Sequence, residues 1–343
     1  LKVLFLHNHP LFPGPILRSI AALREHNIEL RTEKAAWMQD VRIHREWDYD
    51  VLLLQEPPID ERFVTCGRPV ILMERVDGAQ LRMCRRYLCR VAGVIKGYVF
   101  KDRWQYNRVN DRAHIALLHK AGVKCEAPLY RAPLPRPQLS MPQLQTLHVG
   151  YGFGALDHLE PCVKANVDFD TARPIDVCYA GTVEYLDPDG KTTEVDTHRK
   201  LALKAVDEWG RRGRVIASPG RQIPGPEYRQ RLLESKVALC PWGWGEATYR
   251  EYEAMALGTV VIKPATPHVD CWPQIYKPGE LYVPCMPDFS DAPDVIEHVL
   301  DSWDDYRATR ERARKLIVDA WQPAAIAGWM ASRIYTIMGG DIE

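Results

Sequence analysis

Short apolar runs rich in Val, Ile and Leu recur through the first part of the chain, at 3–6, 28–31, 51–54, 69–73 and 91–99. Segments with helical spacing of apolar residues lie between them, near 16–25 and 108–121. Strands that are apolar on both faces are the mark of a parallel sheet covered by helices on both sides. The same alternation returns after residue 174. It predicts strands at 175–180, 215–217, 237–240, 259–263 and 280–283, and helices at 199–210, 227–234, 247–257, 292–301, 304–318 and 324–338. Residues 130–174 break the pattern with Pro133, Pro135, Pro137 and Pro142 and the glycine-bearing HVGYGFGALDHLEP, which reads as a connection. The expected layout is an α/β chain of two doubly wound units. A first domain covers 1–150, a linker 151–173, a second domain 174–320 and a terminal helix 321–343. His7, Asn8, His9, Pro10 and Gly14 follow the first strand, so this loop falls at the carboxyl edge of the sheet, where open α/β sheets take ligands. No G-x-G-x-x-G follows it, which argues against a dinucleotide-dependent dehydrogenase.

The most informative stretch is 240–263, CPWGWGEATYREYEAMALGTVVIK, which reads as strand end, glycine turn, charged helix, glycine stop and strand. Gly243 and Gly245 permit a tight turn with exposed backbone N–H groups, and the helix that follows directs the positive end of its dipole into that turn. This combination predicts an anion site. On a helix over 247–257, Glu246, Arg250 and Glu253 at i, i+4 and i+7 share one face, while Ala254, Met255 and Leu257 supply packing surface. A polar triplet beside an anion turn points to phosphate together with hydroxyls.

The segment EYEAMALGTVVI resembles the donor-domain signature of GT-B glycosyltransferases of the family 1-like and CgeB-like kind, with some similarity to the exostosin pattern. The resemblance covers about 91–319 and implies two facing Rossmann-like domains with a cleft between them. It further implies that Glu253 hydrogen-bonds the ribose of a nucleotide sugar and that the turn from Gly243 to Arg250, with Gly245, Thr248 and Tyr249, faces the diphosphate. Gly181 and Thr182, after the strand in RPIDVCYAGTVEY, lie beneath that diphosphate in the family, and the final helix crosses back onto the first domain. The chain departs from the pattern at one place. The family's partner acid stands eight residues before the second Glu, which here is Gly245, and Glu246 comes one position late.

Transfer of a sugar from a nucleotide diphosphate requires stabilisation of the charge that develops on the leaving phosphates, and backbone N–H groups, a helix dipole and Arg supply it. Arg221, in SPGRQIPG at the same sheet edge, is a further donor-side candidate, with Arg199 and Lys263 behind it, and Trp244 and Tyr249 border the turn as stacking surfaces. For an inverting reaction the acceptor hydroxyl needs a base. His7 and His9 end the first strand, where several inverting GT-B enzymes carry theirs, and Asp77 in MERVDGA competes, with Glu74 behind it. The expected activity is a metal-independent glycosyltransferase of EC class 2.4, taking a UDP- or GDP-sugar as co-substrate and a small-molecule, glycan or lipid-linked hydroxyl as acceptor. It needs no resident cofactor. A nucleotide-sugar 2-epimerase and a non-catalytic nucleotide-sugar-binding protein are the alternatives.

Composition narrows the field further. The chain has 343 residues, 46% of them hydrophobic and 26% charged, and its 45 basic and 45 acidic residues cancel, so no excess of positive charge predicts a nucleic-acid partner. No apolar run approaches the ~20 residues of a membrane span. The N-terminal LKVLFLHNHP reads as a strand, and the expected location is the cytoplasm, with at most peripheral membrane contact through the basic run RMCRRYLCR on a helix. The arginines of 307–314 interleave with acids as on a salt-bridged surface helix. LDPDG at 186–190 has a D-x-D-like pair but lacks the strand context of a metal site. Nine scattered cysteines without C-x-x-C spacing predict reduced, core-facing thiols.

Overall fold

The computed structural model describes residues 1–7, 14–34, 48–55, 61–64, 66–74, 79, 81, 84–108, 113–123, 138–152, 156–183, 194–212, 215–221, 223–243 and 245–340. His9, Asp77, Trp244, Arg82 and the 186–190 segment lie outside these residues, as does the side chain of Arg221.

The first sheet contains β1 (Lys2–His7), β2 (Glu29–Lys34), β3 (Val51–Gln55), β4 (Val70–Glu74), β5 (Gly93–Lys96) and β7 (Leu147–Val149) in the order β2-β1-β3-β4-β5-β7. All its pairs are parallel. Every residue of β3 and β4 is buried, as expected of strands covered on both faces. The second sheet contains β8 (Ile175–Ala180), β9 (Ile216–Arg221), β10 (Ser235–Leu239), β11 (Val260–Pro264) and β13 (Val283–Cys285) in the order β13-β11-β10-β8-β9, again all parallel. In both sheets the second strand lies outside the first, and the third joins its other side. Each sheet therefore reverses winding between its first and third strands, and the crevice beyond the carboxyl ends of those strands is the topological place for a ligand.

Several expectations need correction. The apolar stretch 91–99 is two strands, β5 and then β6 (Tyr98–Phe100), and β6 leaves the first sheet to pair antiparallel with β12 (Val269–Cys271) of the second half. At this turn Gly150 lies against the Lys96 carbonyl carbon, where a Cβ would come within 2.7 Å. The expected helix at 16–25 is two short helices and a 3-10 turn that ends at Asn27 in the left-handed conformation, φ 57°. Among its described residues, the basic run expected on a helix forms a 3-10 turn, Cys84–Tyr87, with Arg85 donating to the Tyr106 carbonyl and Arg86 over the Tyr87 ring.

The connection is not merely irregular. It carries a helix, Leu156–Lys164, that packs on the Tyr249–Ala256 helix. The arginines of 307–314 are not all a solvated face either. Arg310 is buried over the rings of Trp303 and Phe169 and donates to the Gly258 carbonyl. Arg314 donates to the carbonyls of Ala256 and Ala165. Both satisfy carbonyls that a helix end or linker would otherwise bury unpaired.

The last helix, Pro323–Met338, lies on the first half. Ala327, Trp329, Met330, Ala331 and Ile334 share a core with Val3, Phe5 and Leu23, and the Tyr335 hydroxyl donates to the His26 carbonyl. Trp329 stacks on Trp272 with centroids 5.4 Å apart and meets Tyr151 edge-on. Among the described residues, no helix is long and apolar enough to cross a membrane. The described cysteines are free, and five of the seven are buried.

Candidate functional site

The crevice between the carboxyl ends of β8 and β10 opens into a cleft of about 470 Å³. Three pieces of backbone form its floor. Gly181 and Thr182 continue from β8, Gly243 continues from β10, and Ala247 and Thr248 lead into the Tyr249–Ala256 helix. Thr248 occupies the N-cap with extended dihedrals and makes no side-chain cap bond, so the helix starts beside the cleft with its first N–H groups lacking i−4 acceptors. The Gly243 N–H closes the turn on the Gly245 carbonyl at 3.0 Å.

Two arginines line this floor. Arg199, on the Glu194–Gly210 helix, donates to the Thr182 carbonyl at 2.6 Å. Arg250 donates through Nη2 to the Ala180 carbonyl at 2.7 Å and lies 5.5 Å from the centre of the Tyr179 ring. Its Nε and Nη1 are buried and have no hydrogen-bond partner among the described residues. Gly181, at φ 155°, makes room for this guanidinium, because a Cβ there would collide with Nη2. A partly buried cation with two unused donors beside a helix start fits an anion with several acceptor oxygens, and a diphosphate is such an anion.

One helical turn further on, Glu253 lines the same cleft and is 5% exposed. Burial pushes its carboxyl up to about 7, against the pull of Arg250, Arg229 and the Tyr228 hydroxyl. Its Oε1 lies 3.9 Å from Nδ1 of His158, whose ring stacks on Tyr249 with centroids 6.0 Å apart. Tyr228, Ile223 and Gly225 form another wall, and Tyr98 reaches in from the first half. Behind the helix start, Glu251 is fully buried and satisfied. Its Oε1 meets Lys263 Nζ at 2.8 Å and accepts from Thr248 Oγ1 at 3.2 Å, while its Oε2 accepts from the Tyr276 hydroxyl at 2.9 Å.

Of the residues singled out in the sequence, Gly181, Thr182, Arg199, Gly243, Thr248, Tyr249, Arg250 and Glu253 line this cleft. Gly245 is buried in the turn behind it, and Arg221 ends β9. Lys263 is buried beneath the site as the partner of Glu251, so it is a support and not a cleft residue. Glu246 is also corrected. The helix begins at Tyr249, so the i, i+4, i+7 spacing does not apply to it, and its carboxylate points away from Arg250 toward Ala79 and His268. His7 ends β1 at the switch point of the other sheet, with its ring 5.5 Å from Phe5, and does not line this cleft. His158 and Tyr228 were missed. Both follow glycine-bearing stretches, HVGYGFGALDHLEP and SPGRQIPG, but no local spacing ties either residue to Glu253, and only packing brings them there. Among the described residues, no group of His, Cys, Asp and Glu is arranged to hold a metal ion.

No protein-family model and no curated protein sequence matches the chain. Solved structures do. A UDP-forming α,α-trehalose-phosphate synthase from Burkholderia xenovorans superposes with a TM-score of 0.52 over 98% of this chain and 99% of that one, at 9% identity. A glycosyltransferase from Rickettsia africae ESF-5 gives 0.49 over 99% of each chain at 8% identity. TarM gives 0.46 at 8% identity over 82% of this chain, and the match spans about half, 54%, of TarM itself. Two parallel sheets with the same reversal of winding, a terminal helix that returns to the first sheet, and end-to-end superposition at the highest of these scores lead to one conclusion about architecture: the chain has the GT-B fold, built from two Rossmann-like domains.

Proposed function

We propose that the cleft binds the diphosphate and ribose of a nucleotide sugar, and that the protein transfers the sugar to a hydroxyl acceptor. The single observation that carries this reading is Arg250, a partly buried guanidinium whose buried Nε and Nη1 have no hydrogen-bond partner among the described residues, at the start of a helix and at the switch point of the sheet. In this reading the N–H groups around Gly181 and Tyr249, with Arg199 and Arg250, hold the phosphates. They act most strongly when the glycosidic bond breaks and the leaving diphosphate gains charge. Glu253, ionised, accepts the ribose hydroxyls. The acceptor lies on the side of the first domain, where His7, His9 and Asp77 stay the proposed sources of a base, and the arginines make a metal ion unnecessary. UDP or GDP is the expected carrier.

A thermal-shift panel of UDP, GDP, ADP, CMP and dTDP, followed by release of the free nucleotide from the matching sugar donors with and without EDTA, tests the reading. One nucleotide should stabilise the protein selectively, turnover should survive EDTA, and R250A should lose both properties while keeping its melting transition. Binding that R250A and E253A leave intact would refute the assignment.

A further inference from the structure

Glu246 belongs to the segment that forms the cleft floor, yet its carboxylate serves the other domain. It is 1% exposed, and its Oε2 accepts a hydrogen bond at 3.1 Å from the backbone N–H of Ala79, which follows β4 in the first half. Its Oε1 lies 3.7 Å from Nε2 of His268. His268 immediately precedes β12, and its carbonyl accepts from the Lys101 N–H at the end of β6, so this side chain also belongs to the seam between the halves.

From behind, the Glu246 carbonyl accepts from Lys263 Nζ at 3.1 Å. The same ammonium holds Glu251, and Glu251 holds Thr248, which lines the cleft. Residues 245–248 therefore touch the cleft at Ala247 and Thr248 and the first domain at Glu246. Four residues tied to a buried ion pair at one end are short enough for a change at Thr248 to be felt at Glu246.

We propose that Glu246 is a positioning residue that couples occupancy of the cleft to the first domain. An anion bound at Gly243 and Thr248 holds residues 245–248 in place, and they keep the Glu246 carboxylate on the Ala79 N–H. The two states are Ala79 bonded to Glu246 and Ala79 open to water. The inference rests on the reading of the cleft as a nucleotide-diphosphate site, and it gives the displaced acid a role distinct from contact with the donor.

Linkage makes the idea quantitative, because the factor by which nucleotide suppresses opening at Ala79 is the factor by which loss of the Glu246 acceptor weakens nucleotide binding. Hydrogen exchange at the peptide containing Ala79 and calorimetric titration measure the two sides on the full chain, with UDP and GDP as probes. In the wild-type protein, saturating nucleotide should slow exchange at Ala79 by about fivefold or more, the low end of measured couplings. E246A should exchange rapidly with or without nucleotide and should bind it more weakly by the same factor. E246Q keeps a carbonyl oxygen in place and should restore both. If E246A loses its cooperative melting transition, E246M fills the volume without an acceptor and takes its place.

Exchange at Ala79 that ignores a nucleotide bound to the wild-type protein overturns the coupling and leaves the donor site standing. Weakened binding in E246A and E246Q alike, with that exchange unchanged, overturns it in favour of direct donor contact. A wild-type protein that binds neither probe overturns the donor reading and this inference together.

Discussion

Replacing Lys263 by Met tests whether the buried pair beneath the cleft supports it. Lys263 and Glu251 are both fully buried, with Nζ and Oε1 2.8 Å apart. At an effective dielectric constant near 20, charges at that separation attract by about 6 kcal/mol. Desolvation of the two ions offsets most of this gain, so the pair itself contributes little net stability. Removing one partner is different, because Glu251 then stays in a dry site with only the Tyr276 and Thr248 hydroxyls for company. The lysine also donates to the Glu246 carbonyl and lies 4.2 Å from the centre of the Tyr276 ring, and both contacts disappear. The expected loss is about 3–5 kcal/mol, read from urea unfolding at pH 7.5.

The double variant E251Q/K263M, which removes both charges, should recover most of the loss. A K263M deficit below about 1 kcal/mol, or a double variant no more stable than K263M, would refute the reasoning.

Other expectations follow from single contacts. Gly181→Ala places a methyl against Arg250 Nη2, so nucleotide affinity should fall by at least about tenfold in calorimetric titration while the melting temperature stays close to wild type; equal affinity would remove Arg250 from the site. Ionised Glu253 is the form that accepts hydroxyl hydrogen bonds, and its carboxyl titrates at about 7. Nucleotide affinity should therefore rise from pH 6 to pH 8 and level off above, and E253Q should flatten the profile. The same raised pKa means that in the free protein the stability contributed by protonated Glu253 is complete below the unfolded value and declines as pH rises through 7, so chemical denaturation of wild type and E253Q should converge at the acid end, with E253Q the more stable at pH 8. Trp329→Ala removes the stack on Trp272 and the edge contact with Tyr151 and should cost about 3–5 kcal/mol in unfolding; a loss below about 1 kcal/mol would mean that the last helix is not held by this cluster.

Much of the architecture was written in local pattern. The apolar runs at 51–54, 69–73 and 259–263 become strands buried on both faces, because a parallel sheet covered by helices requires that composition. The glycine, threonine and arginine signals around 240–263 appear at the cleft because a turn and a helix start are made by neighbours in sequence. That is the limit of what residues near one another in the chain can specify.

Tertiary structure decided the rest. The helical face drawn through Glu246, Arg250 and Glu253 fails because the backbone becomes helical only at Tyr249, and the contact that holds Glu246 is a backbone N–H 167 positions away. Lys263 reads as a donor-side candidate and Arg310 as a surface charge, yet both are buried as supports, since their partners, Glu251 and the Gly258 carbonyl, reach them only through packing. His158 enters the cleft on a helix within a segment that reads as linker, and the pairing of β6 with β12 joins strands from different halves. Hydrophobic periodicity records which face of an element is buried but carries no information about what it is buried against, and that choice belongs to the assembled fold.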